Sequence, residues 1–361
     1  MKVILLALAV GWTSANGGIA NQRAASATQL DAKTIPRLTV RWRFHLRSNA
    51  NFGAITSNPV ISGNTVYLQD STSSVYALDV RTGALLWKHA FAAPSDGPNG
   101  VTVSGSRVYA ATDTTAFALN AATGRTLWSR PLVSQTEQFV AIAPVVDRGR
   151  VYISTQGSPP RGRGALYALS AATGTIVWRF QTIARPWAHA AAGGGGAWYP
   201  VGVDERGDVY AGIANPAPWG GSKAYPNGGL FPGPALYTDS LVVLAGATGA
   251  LLWHDQVTRH DVRDYDFEDS PILAGNLVFG AGKAGRVVAW DRTTHARVWS
   301  KAVGTHVHDL GPLPAKSTLV CPGLLGGVLT PMAYARGRLF VPVVELCSRE
   351  SAVTSTNAFA R

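Results

Sequence analysis

Apolar and polar residues alternate with a period of two through most of the chain, as in Ser74-Val75-Tyr76-Ala77-Leu78 and Arg107-Val108-Tyr109-Ala110-Ala111. Such alternation sends successive side chains to opposite faces of an extended segment and predicts half-buried β-strands. No long stretch carries a 3.6-residue period, and Gly, Pro, Thr and Val are too frequent for helices. One phrase recurs: an apolar run ending in Ala-Leu, a short turn ending in Thr-Gly, three residues, then Trp. It reads Tyr76-Ala77-Leu78-Asp79 to Thr82-Gly83 to Trp87, and again Phe117-Ala118-Leu119-Asn120 to Thr123-Gly124 to Trp128. Further copies end at Thr173-Gly174 and Trp178, at Thr248-Gly249 and Trp253, and, worn, at Thr294-His295 and Trp299.

From Trp42 onward these tryptophans are separated by 45, 41, 50, 75 and 46 residues. That is the length of one four-stranded blade, with one long interruption. The expected fold is all-β, a β-propeller of four-stranded antiparallel blades. The Thr-Gly pair is expected to turn the chain between the last two strands of each blade, glycine supplying a positive φ. Each tryptophan is expected to pack between adjacent blades while its N–H finds a backbone acceptor.

With 361 residues, 46% of them hydrophobic, 39 glycines and 21 prolines, the chain can bury a large core and still be mostly strand and turn. One repeat domain over 12–361 is expected. Lys2 and the run Val3 to Val10 resemble the charged and apolar parts of a secretory signal over 1–11, and the run is too short to anchor the mature chain across a bilayer. Cys321 and Cys347 read either as a disulfide in an exported protein or as two buried thiols in a cytosolic one. The charge of +11 comes from arginines scattered in turns, such as Arg81, Arg125, Arg148 and Arg163. With no basic run and no nucleic-acid motif, nucleic acid is not an expected partner; a basic surface suits an acidic redox partner or an anionic envelope.

Function tends to collect where a regular scaffold carries an extra loop. The long interruption, 179–240, holds Gly193-Gly194-Gly195-Gly196-Ala197-Trp198, Asn215-Pro216-Ala217-Pro218-Trp219 and Leu236-Tyr237-Thr238-Asp239-Ser240. His260-Asp261-Val262-Arg263-Asp264-Tyr265-Asp266 and Gly282-Lys283-Ala284-Gly285 follow. In combination these segments resemble the quinoprotein alcohol dehydrogenase family, eight-bladed propellers that hold pyrroloquinoline quinone and a metal ion. The resemblance runs from Trp12 and Asn21-Gln22-Arg23 to Val341-Pro342-Val343-Val344-Glu345-Leu346-Cys347.

It implies that the quinone stacks on Trp198, that Asn215 ligates the metal through its amide oxygen, and that Asp264 is a metal ligand and the catalytic base. It further implies that Asp266 is the extra carboxylate of lanthanide-using members, so the ion is calcium or a lanthanide. Lys283 hydrogen-bonds the quinone oxygens, and Cys321 and Cys347 form a disulfide. The resemblance implies an exported, periplasmic or extracellular dehydrogenase. It oxidises a small alcohol or aldehyde and passes electrons to a cytochrome c or another acceptor.

The chain departs from the family pattern in places. Pro159 stands where a metal-binding glutamate belongs, Ala141 where a hydroxyl binds a cofactor carboxylate, and Gly196 where a threonine precedes the stacking tryptophan. The vicinal cysteine pair and the arginine after it are absent around Asp96-Gly97-Pro98-Asn99-Gly100. A charge-assisted hydrogen bond is worth roughly 1.5–3 kcal/mol, so the alternative function is a non-catalytic propeller serving as an envelope binding or assembly scaffold. The chain supplies six or seven blades of the family's eight, which predicts a fragment. His306-Val307-His308-Asp309 is a weaker metal candidate, and His254 with His260 a weaker hydrolase pair lacking a nucleophile elbow. No Cys-x-x-Cys-His is present for a covalent haem.

Overall fold

The computed structural model describes all residues except 1–10, 26–29, 47–52, 94, 96, 135, 159–161, 184–192, 218, 220–234 and 353–361. The 1–11 signal segment, apart from Gly11, and Pro159 therefore lie outside the described residues. Five four-stranded antiparallel blades follow one another. Blade 1 is Val60–Ser62, Thr65–Gln69, Val75–Asp79 and Leu85–His89; blade 2 is Thr102–Ser104, Arg107–Ala111, Thr115–Asn120 and Thr126–Pro131. Blade 3 is Val145–Asp147, Arg150–Gly157, Ala165–Ser170 and Ile176–Gln181, with Gln138–Phe139 added beside its second strand. Blade 4 is Gly202–Val203, Val209–Gly212, Ser240–Leu244 and Leu251–Gln256; blade 5 is Ile272–Ala274, Leu277–Gly280, Arg286–Asp291 and Arg297–Ala302. After blade 5, Thr318–Val320 pairs with Ser348–Glu350 and Ala333–Ala335 with Arg338–Phe340, stapled by the Cys321–Cys347 disulfide.

The alternation has a different meaning from the one expected. Val75–Asp79 and Thr115–Asn120 are buried on both faces rather than one. Val75 and Ala77 face a core shared with blade 2, while Tyr76 and Leu78 face another core with Trp42 and Phe44. The period of two thus sorts residues between two apolar seams, because each sheet is covered on both sides. Within the blades the fourth strands are the most exposed, as in Leu85–His89 and Arg297–Ala302.

The Thr-Gly turns lie between third and fourth strands as expected, with Gly83, Gly124, Gly174 and Gly249 at φ 71°, 69°, 72° and 73°. A second reason for glycine is steric. A Cβ on Gly83, Gly124, Gly174 or Gly249 would lie 2.5, 2.6, 2.5 or 2.6 Å from the ring of Trp42, Trp87, Trp128 or Trp178. Each tryptophan of one blade lies against the turn of the next, and its N–H reaches a carbonyl there. Trp87, Trp128 and Trp178 donate to Ala121, Ala171 and Gly246 at 2.9, 3.1 and 2.9 Å. In the worn copy His295, at φ 62°, replaces glycine and stacks on Trp253 with ring centroids 4.7 Å apart.

Antiparallel order decides where chemistry can assemble. In a four-stranded blade, the link between strands two and three and the link to the next blade emerge at the same end. The Thr-Gly turns, between strands three and four, emerge at the other. Trp198, Asn215, Asp264, Asp266 and Lys283 all fall on links of the first kind.

Candidate functional site

Four connections converge. Gly193 to Trp198 lie between blades 3 and 4, Asn215 between the second and third strands of blade 4, Asp264 and Asp266 between blades 4 and 5, and Lys283 between the second and third strands of blade 5. Asn215 is fixed by its neighbours: Pro216–Ala217 pairs with Gly193–Gly194, and the Asn215 amide N–H donates to Asp266 Oδ1 at 2.8 Å. Lys283 is set by a tight turn in which its N–H donates to Asp266 O and the Gly285 N–H to Gly282 O. Tyr265 and Phe267 point into the core, Tyr265 Oη donating to Pro322 O and Phe267 packing on Trp290. The acids between and beside them, Asp264, Asp266 and Glu268, are buried as well.

There the side chains meet. Lys283 Nζ donates to Asp264 Oδ2 at 2.7 Å and also pairs with Asp266. Asn215 Nδ2 donates to Asp264 Oδ1 at 2.6 Å. Asp264 is held at φ 63°, a left-handed conformation that a residue with a Cβ adopts only when its surroundings enforce it. Burial and the neighbouring Asp266 charge push the Asp264 carboxyl well above the usual carboxylate range, against the pull of Lys283. Burial works against the Lys283 ammonium, but Asp266, Asp264 and Glu268 outweigh it and hold Lys283 well above the ordinary lysine value.

Three more buried carboxylates adjoin this group. Asp261 accepts the N–H groups of Arg263 and Tyr265 at 2.8 and 2.7 Å, and burial raises it to about 6. Glu268 is buried and raised well above its usual range, first by desolvation and then by Asp266. Asp239 is wholly buried, neither carboxylate oxygen has a hydrogen-bond partner within 3.5 Å among the described residues, and burial followed by Asp261 raises it against a weaker pull from Thr238. Sequence reasoning gave neither Asp239 nor Glu268 a role. For Glu268 the signal was the alternation of acids at 264, 266 and 268.

Carboxylate and amide oxygens are donor types that a hard cation takes. As the side chains stand, no three Asp, Glu, His or Cys residues among the described residues converge as metal ligands, and the Lys283 ammonium lies between Asp264 and Asp266. The Trp198 indole is half-buried. Trp198 also meets Phe139, centroids 5.5 Å apart, and a Cβ on Gly97 would come within 2.6 Å of its ring. Gly196, at φ 93°, sits against the Gln156 amide and the Thr155 carbonyl, so Gln156 fills the room a side chain at 196 would need.

The weaker candidates separate from this centre. His306 Nδ1 meets Asp309 Oδ2 at 2.6 Å while His308 Nδ1 faces Leu319 O, so the two imidazoles do not share a ligand position. His254 packs edge-on against Tyr237, centroids 4.8 Å apart.

Comparison with known proteins follows the same lines. Residues 72–321 match the family model described as outer membrane protein assembly factor BamB, a PQQ-repeat model. Residues 12–115 match the glucose/ethanol/alcohol dehydrogenase β-propeller domain. The chain is 30% identical over 295 residues to quinohemoprotein alcohol dehydrogenase ADH IIB of Pseudomonas putida, covering 73% of this chain and 42% of that protein. It is 30% identical over 311 residues to the quinohemoprotein alcohol dehydrogenase of Comamonas testosteroni, covering 77% and 43%. The chain thus spans less than half the length of these relatives. Among solved structures, a europium-containing methanol dehydrogenase superposes with a TM-score of 0.80 at 21% identity, covering 92% of this chain and 68% of that one. That likeness concerns the fold. No described helix is long and apolar enough to cross a membrane.

Proposed function

The chain belongs to the PQQ-repeat β-propeller family, and from that premise we propose that it is the propeller of an exported quinoprotein dehydrogenase acting on a small alcohol or aldehyde. The observation that supports this most is the buried Asp264–Lys283–Asn215–Asp266 constellation, drawn from three separate connections. Asp264 is assigned as the base: a carboxyl with raised proton affinity, oriented by two hydrogen-bond donors, suits removal of a proton from an alcohol O–H. Lys283 is assigned to bind the quinone oxygens, where its positive charge favours the reduced form. Trp198 is assigned as the stacking surface, and Asn215, Asp264 and Asp266 as ligands for calcium or a lanthanide. Pyrroloquinoline quinone, when bound, supplies the two-electron, hydride-accepting chemistry. Asp264 would take the alcohol proton, and a quinone held at this site would supply the two-electron acceptor that leaves the carbonyl product, with a cytochrome c or another external acceptor proposed to take the electrons onward.

The experiment is titration of the purified chain with the quinone plus calcium or lanthanum, reading bound-cofactor absorbance and dye reduction on adding alcohols. Binding with turnover that disappears in Asp264→Asn supports the assignment. Absence of binding at tens of micromolar quinone overturns it in favour of a non-catalytic scaffold.

A further inference from the structure

Five backbone N–H groups on five different strands donate to one short stretch of chain. Ile61 donates to Trp12 O at 2.7 Å, Val103 to Thr13 O at 2.8 Å, Val203 to Ile19 O at 2.8 Å, Leu273 to Ala20 O at 3.0 Å and Tyr334 to Gln22 O at 2.8 Å. The donors occupy equivalent places. Ile61, Val103, Leu273 and Tyr334 each stand in the middle of a three-residue strand, opposite Val66, Val108, Val278 and Leu339 of the hairpin that follows. Val203 stands opposite Val209 in the same way. The first four-stranded positions of blades 1, 2, 4 and 5 are thus joined, and Ala333–Ala335, with Arg338–Phe340, stands as the inner pair of a further blade.

First strands line the central channel of a propeller, and here each pairs on one edge only, with the second strand of its own blade. The other edge would leave N–H groups buried without acceptors. The 12–22 stretch supplies them, and it is itself locked in place. Buried Asn16 donates to Asn21 Oδ1 at 3.0 Å and to Ser270 Oγ at 2.9 Å, and accepts from Arg23 Nη1 at 2.7 Å. Buried Asn21 donates to Pro200 O and Pro271 O, both at 3.1 Å. Asn21 and Arg23 hold left-handed backbones at φ 54° and 50°, which persist only where the surroundings enforce them. Every donor lies near the turn that leads to a second strand, the end opposite the links that carry Trp198, Asn215, Asp264, Asp266 and Lys283.

We propose that residues 12–23 are a hub that closes the propeller axis at the turn end and leaves the link end as the way in to the buried site. Through Pro200, Ser270 and Pro271 the same hub anchors the roots of the two connections that carry Trp198 and Asp264 with Asp266. The closure does not depend on which ligand the site takes.

Hydrogen exchange of the full chain reads the hub directly. The amides of Ile61, Val103, Val203, Leu273 and Tyr334 are far apart in sequence but are expected to open together, since one segment covers all five. Asn21→Ala, which removes both ties to Pro200 and Pro271, is expected to speed exchange at all five by about tenfold or more. Blade 3 is the internal control, because its first strand makes no such bond to the hub among the described residues; the amides of Arg150–Gly157 are expected to keep the parental rate. Acceleration limited to Val203 and Leu273, or equal acceleration in blade 3, overturns the proposal. A thiol at the buried position 270 reads the closure itself, since Cys321 and Cys347 are joined in a disulfide and silent to thiol reagents. Ser270→Cys is expected to react with a maleimide about tenfold faster or more when combined with Asn21→Ala. Equal labelling rates in the two backgrounds overturn the closure. Arg23→Ala, which removes one donor to Asn16 from a half-buried side chain, serves with the same expected pattern if Asn21→Ala does not fold.

Discussion

The seam between blades 2 and 3 and the interior between Asp239 and Lys283 are both buried, and they are built on opposite principles. At the seam Trp128 lies on the Gly174 turn, donates to Ala171 O, and is surrounded by apolar side chains such as Val151 and Leu169. In the interior, Asp264, Asp266 and Glu268 act on one ammonium, and the adjoining Asp239 has no hydrogen-bond partner at either oxygen among the described residues. Seams of the first kind hold the propeller together. The second region instead buries carboxyl groups whose proton affinity is raised by burial.

The comparison can be broken most forcefully at its one ammonium. Lys283→Met is expected to cost about 3–5 kcal/mol, because it strands Asp264 and Asp266 without a counter-charge. Denaturant unfolding at pH 8 and pH 5 reads it. The carboxyls whose folded pKa is raised penalise the fold as pH climbs above their unfolded values, so the loss should shrink at pH 5. Equal loss at both pH values would mean that packing, not charge, is responsible.

At the seam, Gly174→Ala should cost about 2–3 kcal/mol, because the new methyl would sit 2.5 Å from the Trp128 ring at φ 72°. Gly275→Ala, at φ 57° with nothing within 4 Å, is the control for backbone strain alone and should cost about 1 kcal/mol. Matching melting temperatures for the two variants would remove the tryptophan contact from the explanation.

Asp239→Asn is expected to act with the opposite sign, stabilising the metal-free chain by about 1 kcal/mol at pH 8 and by less as pH falls and the carboxyl regains its proton. A destabilised variant at pH 8 would show that the carboxylate has a partner in solution. The smallest effect is expected at the worn turn. His295→Gly relieves a left-handed backbone but loses the ring stack on Trp253, two terms of similar size, so stability should move by no more than about 0.5 kcal/mol. Chemical denaturation resolves whether one term dominates.

The propeller was legible in the sequence because its seams repeat: one residue type, Trp, meets one turn, Thr-Gly, at a blade-length interval. What the repeat concealed was the partner of each tryptophan, since Trp87 contacts a turn in the next blade rather than its own. The alternation was legible too, but it could not say that both sides of Val75–Asp79 are covered. At the site, Asp264, Asp266, Asn215 and Lys283 were found through a resemblance, and they lie together. Asp239 and Glu268 were passed over because a buried carboxylate and a solvated one look identical in a sequence. Only the surrounding atoms show which of them has no partner.

The forward docking of tryptophan onto turn has a consequence for synthesis. The carbonyls that accept from Trp87, Trp128 and Trp178 lie 34, 43 and 68 residues later in the chain. A nascent chain leaving the ribosome must therefore carry each indole in water until most of the following blade has emerged. Every blade is finished by its successor, so consolidation runs one step behind translation. Of the three, the lag is longest at Trp178, across the segment that brings Asn215 and Asp239. A holdase that shields a single exposed tryptophan edge would find its binding site renewed at each blade and held longest there.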